Sequence, residues 1–285
     1  MKAEQPPLTV AAALARATAR LRPAPGAALD AQLLLGHALA RPRSALLVHE
    51  IDLLQAGQLA EFTAAIERRA RGEPLAYITG RREFWSLELQ VSPAVLVPRP
   101  ETELVVERCL VLLDSPAARV ADLGTGSGAI ALALARERPG WQITATDRSA
   151  AALAMAVANA QMLAIDNVRF LEGDWFGPLA GERLDLIASN PPYIGASDPA
   201  LDDPALRHEP PTALSSGPTG LEDLATLIAG ADAYLREAGW LVLEHGATQA
   251  REVADLLVAR GFRHVRCHAD LAGLPRVTEA QRPAT

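Results

Sequence analysis

Apolar residues recur every three to four positions through residues 8–72, as at Leu8, Ala11, Leu14 and Ala15 and again at Leu59, Phe62 and Ile66, which is the spacing of one face of a helix. Breaks fall at Pro23-Ala24-Pro25-Gly26, at Pro42, and at Gly72 with Pro74 just beyond it, the arrangement of a helix stop. Residues 1–73 are therefore expected to form a small helical bundle domain. The texture then changes. Tyr77-Ile78-Thr79 leads through Gly80 to a run that alternates apolar and polar from Trp85 to Val91, so residues 74–100 are expected to form a β-hairpin linker. Pro98-Arg99-Pro100-Glu101 starts a helix, with proline in its first turn and Glu101 and Glu103 at the positive end of its dipole.

Beyond residue 119 short apolar stretches at 120–123, 143–146, 168–171, 184–189, 240–243 and 264–267 alternate with helical patterns starting at Ser127, Ser149, Leu221 and Thr248. Such alternation predicts an α/β domain over residues 101–285, Rossmann-like, with a mostly parallel sheet and helices on both faces. Ligands of such a sheet bind at the carboxyl ends of its strands.

Composition narrows the chemistry. The chain has 285 residues, 49% of them apolar and 21% charged, enough for one large domain and a small companion. A net charge of -7 argues against a surface built to grip a phosphate backbone, so no direct nucleic-acid partner is expected. Lys2 is the only lysine, which removes Walker-type phosphate loops and lysine Schiff bases from consideration. Cys109 and Cys267 lie far apart outside any CxxC pair and are expected as buried, reduced thiols. His264 and His268 lie four apart in strand-like sequence, so no metal site is expected, and His245 follows the fifth strand. The N-terminus lacks an apolar signal core and no run approaches the ~18 apolar residues of a membrane span, so a cytoplasmic protein is expected.

The first strand of the α/β region runs into Asp122-Leu123-Gly124-Thr125-Gly126-Ser127-Gly128. Its glycines allow a sharp turn and let a ligand approach the main chain. Asp147 ends the next strand, 19 residues past Gly128, the spacing at which a carboxylate reaches ribose hydroxyls, while Ser149 is the better helix cap. Together they imply a nucleoside-containing cofactor. With Ala129 in the last position of a G-x-G-x-x-G/A pattern, a nicotinamide enzyme stays open at this point. Asp122 favours the other choice, since a carboxylate there repels a pyrophosphate but attracts the amine of S-adenosylmethionine; its alternative role is to hold the loop's own amides. After the third strand Trp175 stands where an adenine would lie, as a stacking surface or as core.

The fourth strand ends in Asn190-Pro191-Pro192-Tyr193. Two prolines remove two backbone donors and fix two φ angles, leaving a stiff turn whose carbonyls act as acceptors. Rigid acceptors suit an NH₂ group. An amide or aromatic amine nitrogen is a poor nucleophile because its lone pair is delocalised. Hydrogen bonds from its two hydrogens to the Asn190 side-chain oxygen and the Pro191 carbonyl would align it with an activated methyl, and the Tyr193 ring would lie against its plane.

The glycine loop, Asp147 and the Asn190 turn together resemble the amino-group methyltransferases, which act on glutamine, adenine or guanine nitrogens. The order of helical N-terminal domain, segments 79–86, 97–103, 122–128 and 190–193, Glu209-Pro210 and Glu244-His245-Gly246 is similar, over nearly the whole chain, to the protein-(glutamine-N5) methyltransferases of peptide chain release factors. The resemblance implies methyl transfer from S-adenosylmethionine to the glutamine of the Gly-Gly-Gln loop of class I release factors. It implies that Gly124, Thr125, Gly126, Ser127, Gly128, Asp147, Trp175 and Asn190 hold the cofactor and that Asn190, Pro191, Pro192 and Tyr193 hold the glutamine. Phe84, Arg99 and Glu101 fall in the family's pocket-forming segment without individual roles. The alternatives are a nucleic-acid amino methyltransferase acting on adenine N6 or guanine N2, and a nicotinamide-binding or non-enzymatic Rossmann module.

Overall fold

A computed structural model describes residues 8–284; Lys2 and the remainder of the N-terminal stretch lie outside the described residues. The chain divides into two compact units, one up to Gly80 and one from Arg81 onward. The first holds α1 (Val10–Leu21), α2 (Ala27–Ala38), α3 (Arg43–Val48), α4 (Ala56–Ala70) and α5 (Leu75–Thr79). Thr9 caps α1 by accepting from the Ala12 amide, and Gln55 and Gln58 form a reciprocal box at the start of α4. Val10, Ala17, Leu34, Leu35, Phe62 and Ile66 fill the core of this unit.

One sequence expectation fails here. Tyr77-Ile78-Thr79, expected to lead into the hairpin as extended chain, is helical, because Pro74 fixes the entry to α5 and Gly80, at φ 72°, ends it in the left-handed conformation. The hairpin itself is shorter: β1 (Arg81–Phe84) pairs antiparallel with β2 (Leu87–Gln90), turning through Trp85 and Ser86 at positive φ.

The second unit continues through α6 (Glu103–Leu112), β3 (Arg119–Leu123), α7 (Ala129–Glu137), β4 (Gln142–Asp147), α8 (Ala150–Met162), β5 (Val168–Glu172), β6 (Leu184–Ser189), α9 (Glu222–Tyr234), β7 (Leu235–Glu244), α10 (Ala250–Ala259), β8 (Arg263–Ala269) and β9 (Pro275–Gln281). A short 3-10 turn, Pro100–Thr102, precedes α6. The seven-stranded sheet has the order β5-β4-β3-β6-β7-β9-β8, with β3 to β7 parallel and β9 antiparallel to both its neighbours. Its two faces are buried separately. On β3, Val120 points into a core shared with α6 and α7, while Ala121 and Leu123 point into one shared with α9 and α10. Helix starts fall slightly later than expected. Gly128 is the left-handed cap before α7 and cannot belong to it, whereas Ser149 caps α8 by accepting from Ala152.

The chain runs outward from β3 to β5 on one side, then crosses to β6 on the other. The point where the strand order reverses, between β3 and β6, is where such sheets open a crevice at their carboxyl ends.

Candidate active site

At that reversal the loop after β3 and the turn after β6 are tied together. The buried Ser189 hydroxyl donates to the Leu123 carbonyl at 2.6 Å, joining the two strand tips. The glycine loop is folded back on β4: Gly124 and Thr125 amides both donate to the Thr146 carbonyl, at 2.8 and 2.9 Å. Gly126 donates instead to Asp147 Oδ2 at 2.9 Å, and Asp147 Oδ1 accepts from the Ser149 amide at 2.9 Å. Behind the loop, fully buried Asn159 on α8 donates to the Ser127 carbonyl and exchanges two bonds with the Gln90 backbone, so the hairpin helps to hold the loop.

The glycines are required for different reasons. At Gly124, φ 74°, a Cβ would stand 3.1 Å from Cζ3 of Trp175, so the indole packs directly on the main chain. At Gly126, φ 56°, a Cβ would meet nothing within 4 Å, which leaves open space over the backbone for a ligand. Gly124, Thr125, Gly126, Ser127, Asp147, Trp175, Asn190 and Pro192 line one cavity, together with Val95, Leu96, Pro98 and Thr102 from the segment before α6. The other anticipated site residues are placed just behind it. Gly128 packs against Leu132 and Ala156, Pro191 is buried, and Tyr193 directs its hydroxyl to Glu244 Oε1 at 3.3 Å while its carbonyl accepts from Gln249. Burial, with the Glu244 charge, pushes the Tyr193 phenol above its ordinary range.

Asp122 corrects the charge argument. Its side chain is buried behind the loop, with Oδ2 accepting from the Thr125 hydroxyl at 2.7 Å and the Ala131 amide at 3.1 Å, and Oδ1 without a partner among the described residues. It holds the loop and the start of α7 and does not line the cavity. Burial raises its carboxyl to about 6.

At the turn after β6, Asn190 Nδ2 donates to the Thr102 hydroxyl oxygen at 3.0 Å, and its Oδ1 has no partner among the described residues. The chain beyond the turn is pinned by bonds between Ile194 and Leu214 and between Ser216 and Ile194. Buried Glu209 fastens the far side of the same loop, accepting from the Val97 amide at 3.1 Å and pairing with Arg99. Of the other residues in the pocket-forming segment, Phe84 is core, 1% exposed, and Glu101 lies beside the cavity without lining it.

Thr102, Asn159 and Ser189 were not singled out in the sequence, and Glu244 entered only as part of the Glu244-His245-Gly246 segment, without a role. The one available signal was a glutamate ending the apolar run of β7, where an unpaired charge would be costly. The cysteine expectation holds for Cys109, whose thiol burial pushes far up, and fails for Cys267, which is exposed on edge strand β8. His245 is buried, with its ring nitrogens against the Gly246 carbonyl and the Thr278 hydroxyl, and desolvation lowers its pKa. No described helix is long and apolar enough to cross a membrane.

Comparison with known proteins gives two family-model matches, a PrmC N-terminal domain at residues 12–80 and a methyltransferase small domain at residues 102–202. The release factor glutamine methyltransferase of Xylella fastidiosa strain 9a5c is 51% identical over 90% of this chain and 93% of that protein. Its counterpart in Pseudomonas aeruginosa is 47% identical over 92% and 95%. Among solved structures, a methyltransferase from Pyrococcus furiosus superimposes with a TM-score of 0.54 over 70% of this chain and 90% of its own, at 17% identity. The Thermus thermophilus 16S rRNA N2 G1207 methyltransferase does so at 0.54 over 71% and 49%, at 20% identity. These two share the fold.

Proposed function

Because this chain belongs to the release factor glutamine methyltransferase family, we propose that it methylates the side-chain amide nitrogen of the Gly-Gly-Gln glutamine in class I peptide chain release factors, with S-adenosylmethionine as donor. The observation that carries this reading is that the open backbone at Gly126 and the Asn190 residue of the stiff turn line the same cavity at the sheet's reversal point.

The residues present suit the donor. The Gly124 to Gly128 loop takes its methionine part over Gly126, Asp147 receives ribose hydroxyls, and Trp175, fixed against Gly124, offers its ring to the adenine. When bound, S-adenosylmethionine supplies a methyl group made electrophilic by the sulfonium. The chain's own work is on the nitrogen. With Nδ2 committed to Thr102, Asn190 presents Oδ1 to one amide hydrogen, and the Pro191 carbonyl, which accepts no hydrogen bond among the described residues, takes the other. Pro192 stiffens the turn and Tyr193, tethered to Glu244, backs it. As the lone pair is drawn toward the methyl, both N–H groups become more acidic and both bonds strengthen, so the turn stabilises the transition state more than the ground state. A buried base is not needed.

The N-terminal unit is assigned to gripping the release factor. Leu47, Val48, Ile51 and Leu53 are 72, 78, 80 and 62% exposed there, an apolar run that a protein partner would cover. A substrate of the translation machinery also puts the enzyme in the cytoplasm.

Incubation with labelled S-adenosylmethionine and either a class I release factor, DNA or RNA tests the assignment. Label should appear on the release factor and map to its Gly-Gly-Gln glutamine. Label on nucleic acid alone would replace this reading with an adenine or guanine amino methyltransferase.

A further inference from the structure

The sheet carries a second feature at the edge where the cavity lies. Ser189 pairs with Leu243 and Glu244 with Val277, so Asn190, Glu244 and Val277 stand side by side at the carboxyl ends of β6 and β7 and near the start of β9. Because β9 is antiparallel to β7, the chain just before it continues past that edge. The β8–β9 connection, Asp270-Leu271-Ala272-Gly273-Leu274, therefore rises beyond the carboxyl edge, on a strand two places from β6 and so about 10 Å to the side of the Asn190 turn. Its base is tied to the end of β7 by the His245 amide, which donates to the Arg276 carbonyl at 2.8 Å, and Glu244 of β7 in turn meets Tyr193 of the turn.

This tip is apolar, uncharged and held in one shape. Leu271 is more exposed than any other large apolar side chain among the described residues, and Leu274 is 45% exposed. Hairpin tips draw mainly on Gly, Pro, Asn, Asp and Ser, so the turn itself does not require a leucine at either place. Asp270 fixes the backbone between them. Its Oδ1 accepts from the Ala272 and Leu274 amides at 2.9 Å each, its Oδ2 accepts from Arg276 Nε at 3.0 Å, and its amide donates to the Leu274 carbonyl at 2.8 Å. Gly273, at φ 79°, closes the turn with its amide on the Asp270 carbonyl. A backbone already ordered in this way loses little further entropy when its leucines are covered by a partner.

We propose that the β8–β9 tip, through Leu271 and Leu274, is a docking point for the release factor beside its Gly-Gly-Gln loop. Position and chemistry together name the occupant. For a side-chain amide to reach Asn190, the backbone that bears it must pass over the carboxyl edge of the sheet, and a folded protein substrate that does so meets the tip. A nucleic acid would be drawn by cations, and residues 271–274 carry none. An uncharged apolar tip suits instead an uncharged stretch of protein such as the one that holds the glutamine. The contact adds affinity for the protein substrate and takes no part in the chemistry at Asn190. The inference rests on the release factor being the substrate.

Steady-state methylation of the release factor is measured for the wild type, Leu271→Asp, Leu271→Met and Val258→Asp, with the cofactor affinity and sedimentation of each enzyme alongside. Val258 is 62% exposed near the end of α10, which runs from the carboxyl edge back to the start of β8, so its variant adds an exposed acid at the opposite edge of the sheet. Leu271→Asp should raise KM for the release factor about tenfold or more, with kcat lowered by no more than about threefold and cofactor affinity within about threefold of wild type. Leu271→Met, which keeps an apolar side chain of similar size, and Val258→Asp should both stay within about threefold of the wild-type KM. A wild-type KM for Leu271→Asp, an equal rise for Val258→Asp, or a loss confined to kcat would overturn the proposal. So would a wild-type dimer that Leu271→Asp dissolves with KM unchanged, since the tip would then belong to a second copy of this chain. Failure of the wild type to label the release factor at all would instead reject the functional assignment beneath it.

Discussion

Replacing Gly124 with alanine perturbs the cofactor loop at the place where the main chain and Trp175 meet. The residue sits at φ 74°, where an L side chain costs about 1–2 kcal/mol. The new Cβ would lie 3.1 Å from Cζ3 and 3.6 Å from Cη2 of the indole, closer at its nearest point than the ~3.5–4.0 Å of a good carbon contact. The loop cannot slide away, because the Gly124 amide is fixed to the Thr146 carbonyl at 2.8 Å, so the ring must give. Strain and crowding together amount to about 2–3 kcal/mol. If the cofactor requires the native loop and ring, its affinity should fall by about thirty- to a hundredfold. Titration calorimetry with S-adenosylmethionine reads this directly. Both crowded ring atoms are absent from phenylalanine, so Gly124→Ala should cost less when made on Trp175→Phe than on the wild type. Wild-type affinity for Gly124→Ala, or the same loss in both backgrounds, would refute the assignment of Trp175 to the cofactor wall.

Asp147→Ala removes the acceptor of two backbone bonds at 2.9 Å, each worth about 1.5–3 kcal/mol when the acceptor is charged, and so should weaken cofactor binding by about a hundredfold or more while transfer from a saturated enzyme stays within a few-fold of wild type; a slower transfer with unchanged affinity would contradict that role. Asp122 has its carboxyl raised from 3.8 to about 6 by burial, so the neutral form is the one the fold favours: its contribution to stability is complete below about pH 4 and is lost as pH rises through about 6. Denaturant unfolding of wild type and Asp122→Asn across pH 4–7 should therefore show the wild type losing about 3 kcal/mol relative to the variant, and a constant difference would show that the carboxyl is not perturbed.

The sequence made the parallel α/β unit legible because fully buried strands leave unbroken apolar runs, and it made the glycine loop, Asp147 and the Asn190 turn legible because glycine and proline constrain the backbone wherever they occur. What stayed hidden depends on direction. The charge of Asp122 is visible in the sequence, but only the fold shows that its oxygens turn inward to Thr125 and Ala131. Thr102 and Glu244 lie 142 positions apart, and only the fold shows that one accepts from Asn190 and the other from Tyr193 of the same turn. Tyr77-Ile78-Thr79 has strand-forming composition, yet the proline and glycine that bracket it outweigh that preference. Strand β9 escaped the apolar pattern because Thr278 and Glu279 are polar and still buried, Glu279 through its pairing with Arg108.

The central claim is that the stiff turn after β6 aims an unreactive amide nitrogen at the donor's methyl group. Its most direct test is single-turnover transfer to the release factor by Asn190→Ala enzyme saturated with S-adenosylmethionine. Transfer slower by about a hundredfold or more, with cofactor affinity within a few-fold of wild type, is the expected result. Transfer at the wild-type rate, or a loss wholly accounted for by weaker cofactor binding, would contradict it.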